Sequence, residues 1–137
     1  MNRVENWPSR LHEVLEATAQ DRFEWGRLDC LLFVADCIQA MTGEDPAEAQ
    51  RGRYTTEIGS KRVLASDLGG SLDAALTMKL GDPVPIPFSG RGDVVLVMVD
   101  GVEAAGVIDL SGERVAVLTL DGLESLPISA VRRAWKV

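Results

Sequence analysis

The chain is poor in the side chains that build metal and disulfide sites. It has one histidine and two cysteines in 137 residues, and aromatic residues make up only 5%. One histidine with two distant cysteines gives no zinc-type spacing, so no metal and no other cofactor is expected. Cys30 and Cys37 lie seven residues apart. On one helix that separation is about 10.5 Å along the axis, beyond the roughly 7 Å between Cα atoms that a disulfide bridges, so both are expected as free thiols. Long apolar runs are also missing: none approaches the roughly 18–20 residues that span a bilayer, and no membrane insertion is expected. Positive charge is scarce. Fourteen Lys and Arg face 21 Asp and Glu, a formal charge of −7, which argues against nucleic acid as a partner, because phosphate binding needs concentrated positive charge. The densest basic cluster is RGR at Arg51–Arg53. The first residues, MNRVENWPSRLHEV, carry no apolar signal-peptide core; any route out of a cell is expected to need other machinery, such as lysis or incorporation into a particle.

What is present suits one folded domain over residues 1–137, with 46% apolar and 26% charged residues. The first half, residues 1–81, has helical spacing. Leu11, Val14, Leu15 and Thr18 follow Pro8 and predict a helix over Ser9–Ala19. Asp29 is a suitable N-cap for a second helix that stops at Thr42-Gly43. Leu31, Val34, Ile38 and Met41, with Phe33 and Cys37 beside them, make its apolar face broad enough for deep burial. Shorter helices are expected over Thr56–Ser66 and Ser71–Leu80, and residues 82–92, with three prolines, form an extended connector.

From residue 93 the period changes to that of strands. VVLVMV (Val94–Val99) and VEAAGVIDL (Val102–Leu110) flank Asp100-Gly101, a hairpin turn signal. RVAVLTL (Arg114–Leu120), LESLPI after Asp121-Gly122, and VRRAWKV complete an antiparallel meander of four or five strands. Helices first and strands afterwards define an α+β class.

Cys30 stands at the first turn of the second helix. There, unpaired backbone N–H groups and the helix dipole favour a thiolate and can also hold an oxyanion. Trp25 offers an apolar wall and Gly26 permits a tight turn on the approach. The plainer reading is a packed thiol, since cysteine is among the most buried residue types. Cys37, inside the helix, reads as core.

WGRLDCLLFVADCIQAMTGEDP resembles the nucleophile segment of the NlpC-type, papain-like cysteine peptidases, which cut peptidoglycan stem peptides. RGDVVLV resembles their Gly-Asp element and following strand. The order of the DC helix ending in TGxDP, RGRY (Arg51–Tyr54), GDVVLV, a small-residue GV strand and the AWKV ending is similar to a branch of that superfamily found in phage tail gene clusters and gene-transfer particles. The resemblance implies a papain-like fold, with the N-terminal helices packed on an antiparallel meander or half-barrel. It also implies Cys30 at the nucleophile position, preceded by Asp29, and a location in a virion tail.

The chain departs from that pattern at the base. The resemblance places the hydrolase histidine two residues before Gly106, where Ala104 stands, and only Thr119 could serve as a third polar residue. An alanine accepts no proton, and the thiol needs a base within hydrogen-bond reach. His12 precedes the cysteine in a polar stretch. Asp100 belongs to a turn, and Glu103 and Asp109 are expected to face solvent by strand alternation. Arg51, Arg53 and Tyr54 suit either a surface loop or the rim of an interface. The RGD of Arg91–Asp93 leads directly into a strand, against an adhesive role. The expected function is therefore a hydrolase-type scaffold without a complete site, acting as a structural component of a phage-like tail tip and docked on neighbouring tail proteins. The alternative is a cysteine peptidase or amidase acting on peptidoglycan.

Overall fold

The computed structural model describes all residues, Met1–Val137. Four helices come first: α1 (Trp7–Ala19), α2 (Cys30–Thr42), α3 (Glu57–Asp67) and α4 (Leu72–Leu80). Five strands follow: β1 (Val94–Val99), β2 (Val102–Ile108), β3 (Arg114–Thr119), β4 (Gly122–Pro127) and β5 (Val131–Trp135). The α+β class follows directly from this order. No helix is long and apolar enough to cross a membrane.

Side-chain caps set three of the helix starts. Asp29, Thr56 and Ser71 each accept from a backbone amide three residues on, opening α2, α3 and α4. Gly43, at φ +82°, closes α2 in the left-handed conformation expected of a C-terminal glycine. Helix α1 begins two residues before the expected Ser9, because Pro8 fits the first turn, where its missing N–H is not needed. Strand β2 ends at Ile108 rather than Leu110, because the Asp109 carboxylate accepts from the amide and hydroxyl of Ser111 and forms a turn. The connector is not wholly extended: it holds a short 3₁₀ turn, Ile86–Phe88, and Val84 bridges to Ala134 of β5.

The strand order is β4-β3-β2-β1-β5, and every pair is antiparallel. Strands β4 and β5 occupy opposite edges of the sheet, yet only Ile128–Ala130 joins them. Pro127 to Val131 spans at most about 15 Å even fully extended. The edges of a flat five-stranded sheet lie about 19 Å apart. The sheet must therefore curl. Its inner face closes on Val95, Val97, Ile108, Val115, Val117, Val131 and Ala134. Its outer face carries Val94, Leu96, Ala105, Val107, Ala116 and Leu118 against Leu11, Phe33, Val34, Cys37, Ile38 and Met41 of α1 and α2. The central helix is thus pressed between a partner helix and the outer face of the curled sheet.

The chain ends are tied to the start of β1. Asp93 is 0% exposed and accepts from Arg3, Lys136, the Gly90 amide and the Val137 amide. Such a carboxylate is an anchor, so the RGD tripeptide is not presented to any partner.

Candidate functional site

Cys30 opens α2 beside a long cleft of about 570 Å³. Helices α2, α3 and α4, the loop of residues 46–54 and the β1–β2 hairpin form its walls, most of them apolar.

The segment before Cys30 is interlocked with the RGRY loop. Gly26 has φ +83°, and a Cβ there would lie 1.8 Å from the Tyr54 carbonyl oxygen, so only glycine fits. The Gly52 amide donates to the Gly26 carbonyl at 3.0 Å. Asp29 is 2% exposed, and its carboxylate collects three donors: the Leu32 amide on Oδ1, and the Gly26 amide and the Tyr54 hydroxyl on Oδ2. Burial, reinforced by the adjacent Asp29 carboxylate, pushes the Tyr54 phenol well above its ordinary range, so the hydroxyl remains a donor.

Arg51 completes the clasp. It pairs with Asp36 on α2 at 2.8 Å and with Asp45 at 2.7 Å. Arg53 pairs with Asp67 at the end of α3 at 3.1 Å. The polar groups of Arg51, Arg53 and Tyr54 hold the loop against α2 and α3, with Arg51 and Tyr54 partly buried and Arg53 exposed. Trp25 lines the cleft and packs edge-on against Phe23, with ring centroids 4.7 Å apart.

The thiol itself is in a poor environment for ionisation. Both cysteines are free, Cys37 buried and Cys30 partly exposed. Burial is the largest influence on Cys30 and pushes its thiol from an ordinary 9.0 up to about 11; the Ala105 backbone amide pulls it down, and the Asp29 carboxylate adds to the rise. Any help from the helix start is outweighed by desolvation. Cys37 is pushed up further by complete burial.

The strand opposite the thiol presents different residues from those expected. Ala104 packs with Val97 and Val117 on the inner face of the sheet, away from α2. Ala105 faces α2, and Glu103, on the same side of the strand, lines the cleft. The β2–β3 ladder stops at Gly106–Val117, so Glu103–Ala105 pair with β1 alone, and the Ala105 amide is left to the thiol. The position expected to correspond to the missing histidine is therefore turned away from the sulfur by one residue of register. Glu103, expected to face solvent, is exposed but stands on the cleft wall.

No other expected base reaches the thiol. The His12 side chain is 60% exposed on α1, 3.5 Å from Glu16. Thr119 is engaged in its own turn, donating to the Gly122 carbonyl and accepting from the Asp121 amide. Asp100, at φ 50°, occupies the hairpin turn, and Asp109 forms the turn after β2. No group of three or more His, Cys, Asp or Glu side chains is arranged to hold a metal ion.

One polar residue of the cleft was not anticipated. Gln50 is 7% exposed, lines the cleft, and its Oε1 has no hydrogen-bond donor. Nothing in the local pattern EAQRGR marks it, because its burial is set by the fold and not by its neighbours in sequence.

Fold and site together define a small α+β protein in which a partly exposed thiol at a capped helix start borders an apolar cleft. The chain belongs to the family described as a domain of unknown function, DUF6950, whose model matches residues 2–137. No curated protein matches the sequence.

Proposed function

We propose that this is a papain-like domain of NlpC type that no longer hydrolyses, and that it serves as a structural component of a phage-like tail tip by docking on neighbouring tail proteins. The tail setting rests on the resemblance of the DC helix, RGRY, GDVVLV and AWKV segments. The reading that hydrolysis is lost is carried by one placement: Cys30 faces Ala105, where a hydrolase needs a proton acceptor, and burial, which pushes the thiol up to about 11, supports it. The capping of Asp29 and the clasp of Arg51 and Tyr54 fit a scaffold maintained for shape.

A second reading, a cysteine peptidase or amidase acting on peptidoglycan, draws on the place of Cys30 at the start of α2 and on Glu103 on the same cleft wall. A carboxylate there would raise the thiol pKa rather than lower it, which disfavours this reading.

The test is to incubate the protein with peptidoglycan and search Cys30 for an acyl adduct by mass spectrometry. No adduct and no released stem peptide are expected. Adduct with turnover, abolished by Cys30→Ser, would establish the hydrolase instead. Docking is read by co-purification with tail proteins from a producing cell; its absence from assembled particles would remove the tail role.

A further inference from the structure

The cleft contains a buried acceptor that the fold does not satisfy. Buried side-chain oxygens are almost always hydrogen-bonded, and an orphaned one costs on the order of 1–3 kcal/mol. Gln50 is held firmly by its backbone, with its amide donating to Ala47 and its carbonyl accepting from Arg53, yet its Oε1 has no donor. Tyr54, on the same loop, offers no help, because it gives its hydroxyl proton to Asp29.

The remaining walls define what would fit. Leu31, Leu64, Leu72 and Leu80 present apolar surface on three helices. The volume of about 570 Å³ falls within the range of roughly 300–1,000 Å³ typical of small-molecule sites. The exposed charges of the lining offset one another, Glu57 and Glu103 against Lys61 and Lys79, while Asp29 is buried and held by its own three donors. Lys61 pairs with Glu57 at 3.4 Å, and Lys79 and Glu103 are of opposite sign. A charged ligand gains nothing from such a rim.

We propose that this cleft is a binding site for a neutral amphiphile: an apolar chain or ring carrying one hydroxyl or amide N–H, which donates to Gln50 Oε1 once that side chain turns out of the wall in which the oxygen is sealed. Binding is non-covalent and makes no use of Cys30, so the inference stands or falls apart from the proposed function.

The experiment titrates the full-length protein with dodecanol and with dodecyl methyl ether, which has the same chain but no donor. Calorimetry reads affinity, and NMR follows the Gln50 side-chain amide. Dodecanol is expected to bind saturably at one site, about tenfold more tightly than the ether, which is the worth of one hydrogen bond to a buried acceptor. The Gln50 amide signals are expected to shift with dodecanol. Gln50→Leu is expected to remove the preference for the alcohol while the ether still binds, and to raise the melting temperature by deleting the orphaned oxygen. Equal affinity for alcohol and ether, or a preference that survives Gln50→Leu, would overturn the assignment. So would shifts confined to other residues, or no saturable binding of either probe, a result that would leave the cleft to a side chain of a partner protein.

Discussion

Two buried aspartates organise different parts of the molecule. Asp29 and Asp93 both lie in segments that carry the family resemblance, DC and GD. Asp93 takes two cations, Arg3 and Lys136, with two backbone amides, and draws both chain ends onto β1. Asp29 takes only neutral donors, from Gly26, Leu32 and Tyr54, and stands at the edge of an open cleft. The first carboxylate is neutralised and sealed. The second keeps an uncompensated negative charge beside Cys30, which helps to hold that thiol protonated. A hydrolase would need a cation in that neighbourhood, and the cations here are spent elsewhere, on Asp36, Asp45 and Asp67.

Breaking each centre should show the difference. Gly26→Ala forces a Cβ onto the Tyr54 carbonyl at a positive-φ position and is expected to cost about 4 kcal/mol or more, read as loss of a cooperative thermal transition. Asp93→Ala strips four donors of their acceptor and is expected to cost about 3 kcal/mol in chemical denaturation. Released termini should then exchange amide hydrogens faster than the Cys30 region does. Tyr54→Phe removes one donor from Asp29, at an expected cost of about 1.5–3 kcal/mol, with the RGRY loop loosened and the terminal network unchanged.

Alkaline pH should produce a smaller, graded effect. The Cys30 thiol is raised in the fold, so its contribution to stability is complete below the ordinary 9.0 and is lost as pH rises through about 11. Cys37 and Tyr54 are raised too and act in the same direction. Denaturation midpoints are expected to hold steady up to about pH 9 and to fall above it, with a shallower fall in Cys30→Ser.

The helical half was legible because its signals are local. Asp29 and Gly43 bracket α2, Ser71 opens α4, and Asp100-Gly101 turns the first hairpin, each through chemistry within a few residues. The curl of the sheet was not legible, because it follows from a three-residue link between strands that only the completed strand order places on opposite edges. The same limit applied to the site. A resemblance aligned Ala104 with a missing histidine, but pairing with β1 puts that side chain on the inner face of the sheet and turns Ala105 and Glu103 to the other face, the side of α2 and the cleft. One residue of register reverses a face, and no local pattern reports it. Arg51 and Tyr54 look like contact residues by type; their partners, Asp36, Asp45 and Asp29, are found only through the fold.

That register can be probed directly. Glu103→His should place an imidazole on the cleft wall and speed Cys30 alkylation several-fold, whereas Ala104→His should leave the rate unchanged. The reverse order would show that position 104, not 103, faces the sulfur.

The central claim is that Cys30 does not ionise near neutral pH. The most direct measurement is its iodoacetamide alkylation rate at pH 7.5 in the folded protein, compared with the same cysteine in the urea-unfolded chain. A rise from 9.0 to about 11 predicts a folded-state rate about a hundredfold slower. A folded-state rate equal to or faster than the unfolded one would mean that the thiol is activated, and would contradict the account.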